Sequence, residues 1–598
     1  MVRGRATPEG EEALGAYQEF IEGHATISRY AECGVFVAAV LLNVFLASSV
    51  FGQAGLPLPL ELPIPLPPKQ PELPQAPPPP KPPALQMPSQ PQVRPGEPIT
   101  GLKISVKEIH LVGNTAFTDQ QLAEVTSKYT NRELTTEDLE SLRLELTMFY
   151  IHPGYVTSGA IIPDQAVTEP FITVQIIEGT LKEINVEGNR WFRTSYFEDR
   201  LRLSAGPPLN ANTLQERLQI LQTNPRIERV NAELKPGLVR GESALDVRVK
   251  EANPFKAWLE FNNFLSPSVG AEQGSITLMD QNLFGIGDTL TLQYGASAGV
   301  NPILNFSYAV PVTARDTTLS VQYRRFNFKV VEDPFEVLDI KNESQIIGVM
   351  LRQPLYRTPR QEFGVSLGLD YEENKSFLQG QPFEFIQGAA NGVFRLAVLR
   401  FTQDWVHRGD NQVFSALSRF SLGIGALGAT TNPTVNLPDG RFFSWLGEGQ
   451  WLRQLQFLRT QLVGRGVVQL SNDHLFPLEQ ISVGGRYSVR GYRAFTLIRD
   501  NAAIASVEAR VPLYRTAAGV DTLFIAPFVD FGHGWQTTVP SPIDPPKTLA
   551  SVGVGAIWNF LPGSHFEVYW GQQLNHFRGG NGNLQDHGVY LQLVVQAL

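Results

Sequence analysis

From Ala252 onward the chain keeps no helical period, and apolar and polar side chains alternate in short segments. Phe363, Val365, Leu367, Leu369 and Tyr371 alternate with Gly364, Ser366, Gly368 and Asp370. Leu319, Val321 and Tyr323 alternate with Ser320, Gln322 and Arg324, and Phe566, Val568 and Trp570 with Glu567, Tyr569 and Gly571. Val589, Leu591, Leu593, Val595 and Ala597 share one face of the final segment. A period of two is the repeat of a β-strand, whose successive side chains point to opposite faces. It fits a soluble sandwich with polar residues facing water. It equally fits a membrane barrel with apolar residues facing lipid and polar ones facing a wet lumen.

The number of segments narrows the choice. About sixteen begin near Phe255, Gly274, Asp288, Ile303, Thr317, Ser344, Glu362, Gly392, Val413, Phe442, Leu458, Asn501, Asp521, Leu549, His565 and Gly588. An even count suits a closed antiparallel barrel, which leaves no strand edge exposed to lipid. A membrane strand needs roughly 9–11 residues, which leaves room for loops. The expected architecture is therefore membrane all-β, a 16-stranded antiparallel outer-membrane β-barrel over 252–598, with one long connection at about 471–500.

Composition agrees with this and excludes other classes. Apolar residues make up 42 % of the 598, charged residues 18 %, and the net charge is −9 with no Lys/Arg cluster, against nucleic-acid binding. Mean hydropathy is −0.11, and only residues 34–51, GVFVAAVLLNVFLASSVF, approach the character of a membrane helix. With Arg29 before it, and Val50 and Gly52 just before Gln53, that stretch reads as a signal peptide within 1–52. A permanent anchor is the other reading. The single cysteine, Cys33, falls in this region, so the mature chain is expected to have no disulfide and no cysteine metal site. Residues 56–98 hold 18 of the 44 prolines. The 53–100 segment is expected to be an extended polyproline II spacer, or a ligand for a Pro-binding domain, unable to join a sheet or a long helix.

An internal repeat follows. Gly113-Asn114-Thr115-Ala116-Phe117 recurs 75 residues later as Gly188-Asn189-Arg190-Trp191-Phe192. The same offset carries Leu134, Leu139 and Leu146 onto Leu209, Leu214 and Leu221. Ungapped agreement at several positions indicates duplicated domains, at 101–179 and 180–251. Each copy reads strand, helix, helix, strand, strand. In the first, Ile104–Leu111 alternates as a strand, and Thr118 with Gln121 forms a capping box. Leu139, Leu142, Leu146 and Phe149 line one face of a second helix, and strands follow near 156–162 and 172–177.

Here the sequence resembles a known family. The pattern Tyr150, Gly154-Tyr155, Pro163, Gln165 and Glu178-Gly179 is similar to the first polypeptide-transport-associated (POTRA) domain of TpsB-type two-partner secretion transporters, the ShlB/FhaC/HecB-like haemolysin secretion/activation proteins. Ordinary turn chemistry explains Gly154, Pro163 and Gly179 singly but not their order. In the long connection, Val489-Arg490-Gly491-Tyr492 matches the VRGY signature of the family's sixth extracellular loop. Two strands later Phe528-Val529-Asp530-Phe531-Gly532 matches its F-x-D-x-G wall motif. The resemblance implies a loop folded into the lumen, with Arg490 meeting the inner wall at Asp530. Alternation puts Phe528, Asp530 and Gly532 on one face, an inward carboxylate needs a partner, and Gly532 allows close backbone approach.

The implied function is transport of an unfolded secreted partner, a large TpsA-like exoprotein, from the periplasm through the barrel of a Gram-negative-type outer membrane. The implied partners are that cargo, outer-membrane lipid and the barrel-assembly machinery, for a monomer with no cofactor, no metal and no nucleic acid. The alternative is a BamA-like assembly factor, although such proteins usually carry more transport-associated domains. A passive porin needs no periplasmic domains. An enzyme is the weakest reading, because the nine histidines form no H-E-x-x-H pattern and no triad or nucleophile elbow is present. Asp530 beside Arg490 could mimic a catalytic pair. The sequence departs from the family in two places: no amphipathic plug helix lies between Gln53 and Gly101, and Leu598 stands where an aromatic residue is common.

Overall fold

The computed structural model describes residues 85–87, 103–165, 170–434, 437–537, 547–577 and 582–597. The signal-like stretch, most of the Pro-rich segment with its expected lack of a plug helix, and Leu598 lie outside them. Among the described residues no helix is long and apolar enough to cross a membrane.

The first repeat folds as a small α/β unit. Strands Glu108–Val112 and Phe171–Ile177 pair in parallel, and Gly159–Ile161 adds antiparallel to the latter. Helices Asp119–Thr126 and Thr136–Ile151 cover one face. The Thr118/Gln121 capping box is present, and a second one, Thr135 with Asp138, starts the longer helix. Leu142 and Leu146 are fully buried, while Leu139 and Phe149 pack at the margin of the same core. The expected first strand breaks at Lys107: Ile104–Val106 turns away to pair with Arg132–Leu134.

The second repeat has strands Thr180–Glu187, Ile227–Pro236 and Glu242–Glu251 with helices Thr194–Arg202 and Ala211–Gln222. The shared Gly-Asn turn has one physical basis in both copies. Gly113 and Gly188 take φ of +91° and +85°, where a Cβ would also strike a neighbouring carbonyl. Asn114 and Asn189 donate to the carbonyls of Phe117 and Phe192 at 3.0 and 2.9 Å.

The second sheet has a fourth strand from outside the repeat. Leu85–Gln86 pairs in parallel with Ile227–Pro236, Leu85 opposite Ala232 and Gln86 opposite Glu233. This corrects the expectation that the Pro-rich segment cannot join a sheet. Between Pro83 and Pro88 lie four residues with free backbone N–H groups, and a parallel edge requires no more than such a run.

The barrel closes with sixteen antiparallel strands. The first eight are Phe255–Asn262, Gln273–Asp280, Thr289–Ser297, Val300–Pro311, Thr318–Lys329, Lys341–Arg357, Gln361–Leu378 and Val393–Arg408. The second eight are Gln412–Gly423, Phe443–Gln454, Gln461–Ser471, Asn501–Arg515, Asp521–Trp535, Lys547–Leu561, Ser564–Gln573 and Val589–Gln596. The sixteenth returns to the first over five pairs, Trp258–Gln596 to Asn262–Gln592. Alternation separates lipid from lumen: Leu367 is 62 % exposed while Asp370 is buried, and Val529 and Phe531 are exposed while Phe528 and Asp530 are buried.

The second domain docks on the turns after the even-numbered strands, the end that the family resemblance implies is periplasmic. Arg193 N donates to Gly285 O at 2.8 Å, and Arg200 Nε and Arg357 Nη1 both reach Asp316, at 3.0 and 2.6 Å. The connections after odd-numbered strands, including 472–500, therefore lie at the outer end. That long connection has strand pairing of its own. Ile481–Val483 and Leu497–Arg499 pair as a hairpin, which satisfies backbone groups that would otherwise be buried unbonded inside the barrel.

Candidate functional site

The hairpin carries the loop tip into the lumen. Its turn needs glycine: Gly484, Gly485 and Gly491 take φ of +112°, +101° and +96°. At Gly491 a Cβ would lie 2.9 Å from the carbonyl of Gly571, so the loop backbone runs directly against the fifteenth strand.

Arg490 sits at the centre, 3 % exposed. Its backbone N–H and Nε donate to Asp530 Oδ2 at 2.9 and 2.8 Å, and its Nη2 donates to Oδ1 at 2.8 Å. This is a planar fork on a carboxylate, strengthened by a main-chain donor from the same residue. Nη1 pairs with Glu508 and Nη2 reaches Ser506 Oγ at 3.1 Å. The guanidinium lies 3.5 Å from the Phe528 ring centroid and 4.9 Å from that of Tyr569. Charge, hydrogen bonding and cation–π attraction therefore act on one group.

The flanking motif residues fix the tip. Val489 is buried against Val483, Leu497, Ile504 and Leu549. A Cβ on Gly532 would lie 2.8 Å from Val489 Cγ2, so the bare wall at Gly532 is what admits it. The Tyr492 hydroxyl lies 2.9 Å from Ala550 O and 2.8 Å from Asn575 O, and it accepts from Ala550 N at 3.3 Å. The structure thus brings together all seven residues of the two barrel motifs.

Several partners escaped sequence reading. Glu508 and Ser506 join Arg490 from the neighbouring strand, Gly571 admits the loop backbone, and Tyr590 donates to Tyr492 O. Arg486 lies beside Glu567, Nε at 3.0 Å, and 4.0 Å over the Tyr569 ring. One signal was available. On the twelfth strand Ser506 and Glu508 alternate with Val507, which puts a carboxylate on the lumen face two residues from a serine.

The periplasmic motif divides in two. Tyr150 donates to Glu178 Oε1 at 2.9 Å, and the same carboxylate accepts from Thr115 N and Ala116 N at 2.7 Å and from the Thr115 hydroxyl. Burial pushes the Glu178 carboxyl up, but these donors outweigh it and hold it below the ordinary range. Burial, then the bond to Glu178, pushes the Tyr150 phenol up. Tyr155 packs edge-on to Phe117 and Tyr150. Gly154 and Gly179 form the junction between the domains: Ala211 N donates to Gly154 O at 2.8 Å and Leu209 N to Gly179 O at 2.6 Å. Pro163 and Gln165 lie apart from these, at the sheet. Gln165 donates to Pro163 O at 3.3 Å, and it braces strand Phe171–Ile177 through Thr173 N and O at 2.8 and 2.9 Å.

Among the described residues no group of His, Cys, Asp or Glu is arranged to hold a metal ion.

Comparisons with known proteins agree with this geometry. The model of the haemolysin secretion/activation protein ShlB/FhaC/HecB family matches residues 241–557, and that of the ShlB-type POTRA domain matches 104–179. The outer membrane transporter CdiB of Dickeya dadantii is 23 % identical over 404 residues, 66 % of this chain and 70 % of that protein. The hemolysin transporter protein ShlB of Serratia marcescens is 23 % identical over 432 residues, 69 % and 72 % of the two chains. The match to the heme/hemopexin transporter protein HuxB of Haemophilus influenzae, 24 % identical, spans 46 % of this chain and about half, 49 %, of that protein. Among solved structures, CdiB from Escherichia coli superposes with a TM-score of 0.62 at 19 % identity, covering 85 % of this chain and 93 % of that one. BamA from Haemophilus ducreyi lacking POTRA domains 1–3 reaches 0.50 at 14 % identity, covering 82 % and 100 %, a likeness of fold alone. Two lumen motifs joined by one arginine, ShlB-type periplasmic repeats and a family match over more than half its length make this chain a member of the haemolysin secretion/activation protein ShlB/FhaC/HecB family, the outer-membrane transporters of two-partner secretion.

Proposed function

We propose that the chain takes a large, unfolded TpsA-like exoprotein at its periplasmic repeats and passes it outward through its own lumen, with the inward loop as the element that orders the passage. The observation that carries this reading is the Arg490–Asp530 fork, which ties a loop from the outer surface to the inner wall of the barrel. The domain division at 101–179, 180–251 and 252–598, and the roles of the motif residues, belong to the same proposal. Sheet edges in the repeats suit an extended chain, which binds by adding a strand. Cargo folding outside supplies direction by mass action, and no nucleotide is needed. The reaction involves no bond-making chemistry, so the chain acts as a conduit rather than an enzyme. It works as a monomer after insertion by the barrel-assembly machinery.

The test is secretion by Arg490→Ala beside a heat-modifiability gel. Removing one partner of a buried pair costs about 3–5 kcal/mol, less where lumen water reaches the site. The strand ladder does not depend on this contact, so the barrel is expected to fold while secretion falls sharply. Arg490→Lys is expected to rescue poorly for want of the planar fork. Normal secretion by a folded Arg490→Ala variant would overturn the role.

A further inference from the structure

The loop is held at a second place that neither motif explains. Its outer limb, Asp473–Glu479, leans onto the wall formed by the seventh to ninth strands. Arg400 on the eighth strand donates to Glu479 through Nη2 at 2.6 Å and Nη1 at 3.1 Å. It also donates to Asp370 at 2.6 Å, Glu372 at 2.9 Å and Ser421 at 2.8 Å. Above this cluster Phe476 stacks on Phe394 at 4.5 Å, within an apolar cluster that includes Leu475 and Ala389. The tip is fastened elsewhere. Arg490 is bound to the twelfth and thirteenth strands, and Arg493 to Asp586 and Glu332 of two other outer connections. A loop tied to both the eighth and the thirteenth strand of a sixteen-stranded ring spans the lumen.

The two fastenings are not equivalent. At the tip the cation belongs to the loop, so withdrawing it strips Asp530 and Glu508 of a partner buried among rings. At the limb the cation belongs to the wall. When Glu479 leaves, Arg400 keeps Asp370, Glu372 and Ser421, and Glu479 passes into water as a solvated carboxylate. No buried charge is orphaned by this departure, because Arg400 keeps two carboxylates on the wall.

Resting on the transport reading above, we infer that Arg400 is a positioning residue for the loop: it forms a releasable strap through Glu479, and cargo passes along the wall of the seventh to ninth strands in the space this strap opens. The tip stays fastened as a hinge. The exposed wall would offer an unfolded chain alternating charges and hydroxyls rather than an apolar surface to which it would stick.

Two measurements test this. The first is ion conductance of Glu479→Gln in planar bilayers without cargo. With the charge of Glu479 gone and the tip intact, resting conductance is expected to rise severalfold, and conductance unchanged from the parent overturns the strap. The second ties the limb down. In a Cys33→Ser background, Ala389→Cys and Leu475→Cys are bridged with a reducible bismaleimide. Secretion is expected to fall at least tenfold on bridging and to return when the linker is cleaved. A bridged protein that secretes at the unbridged rate places the path elsewhere and overturns the proposal. The parent protein reports on transport itself, so a parent that does not secrete counts against the transport reading instead. In that case the conductance of Glu479→Gln still decides the strap.

Discussion

At the scale of single residues, carboxylates that collect several donors do most of the positioning. Glu178 closes the first repeat by accepting from Thr115, Ala116 and Tyr150. Its folded pKa is lowered, so its stabilisation is complete above the unfolded carboxylate value of about 4.3 and is lost as pH falls through the folded value. Glu178→Gln keeps an acceptor but not the charge. It is expected to destabilise the first repeat by about 1 kcal/mol at neutral pH and to flatten its pH dependence below about pH 4.5. Proteolysis of the full-length protein across that range reads both effects, and an unchanged acid profile would count against this role. Gly532 makes the opposite kind of contribution, by having no side chain. Gly532→Ala sets a Cβ 2.8 Å from Val489 Cγ2 in a packed cluster, where overpacking costs about 1–3 kcal/mol. The loop is expected to become protease-sensitive from outside while heat-modifiability of the barrel is kept.

Among elements, the added strand Leu85–Gln86 governs the second repeat's free edge. It covers Ile227–Pro236, and Leu85 packs at the margin of the domain core. An edge already occupied is closed to another strand, so this pairing protects the repeat from edge-to-edge association and is in competition with any extended guest. Replacing Leu85 and Gln86 with proline removes their N–H donors. Amide exchange within 227–236 is then expected to quicken, with exchange in Glu242–Glu251 little changed. Equal rates across the sheet before and after substitution would show that the pairing contributes nothing in solution.

For the whole molecule, the periplasmic repeats and the barrel have separate cores. Leu142, Leu146 and Tyr150 centre the first, Phe197, Leu214 and Leu245 the second, and the barrel is held by its own ladder. The second repeat meets the barrel mainly through polar contacts, chiefly Arg200 on Asp316 and Arg226 on Gly287 and Thr289. Deleting 103–251 is therefore expected to leave a heat-modifiable barrel that no longer secretes. Transport that survives the deletion would remove the repeats as the receptor.

The sequence by itself determined the strand count, the duplicated α/β units and the two motifs that meet in the lumen. Each is written in a local period: two for strands, three to four for the Leu139–Phe149 helix, and a fixed offset of 75 for the repeat. It also put Asp530 on an inward face, because alternation along one strand is a local property. Only the tertiary structure decided what meets Arg490 besides Asp530. Glu508 comes from the twelfth strand and Tyr569 and Gly571 from the fifteenth, and only the closed wall with the loop folded against it makes them neighbours. The same holds for Glu479 on Arg400, and for Leu85–Gln86, whose two residues become a strand only against an open edge. Local pattern records which face a side chain takes. Which face it meets depends on ring closure and register, and these are properties of the assembled sheet rather than of any segment in it.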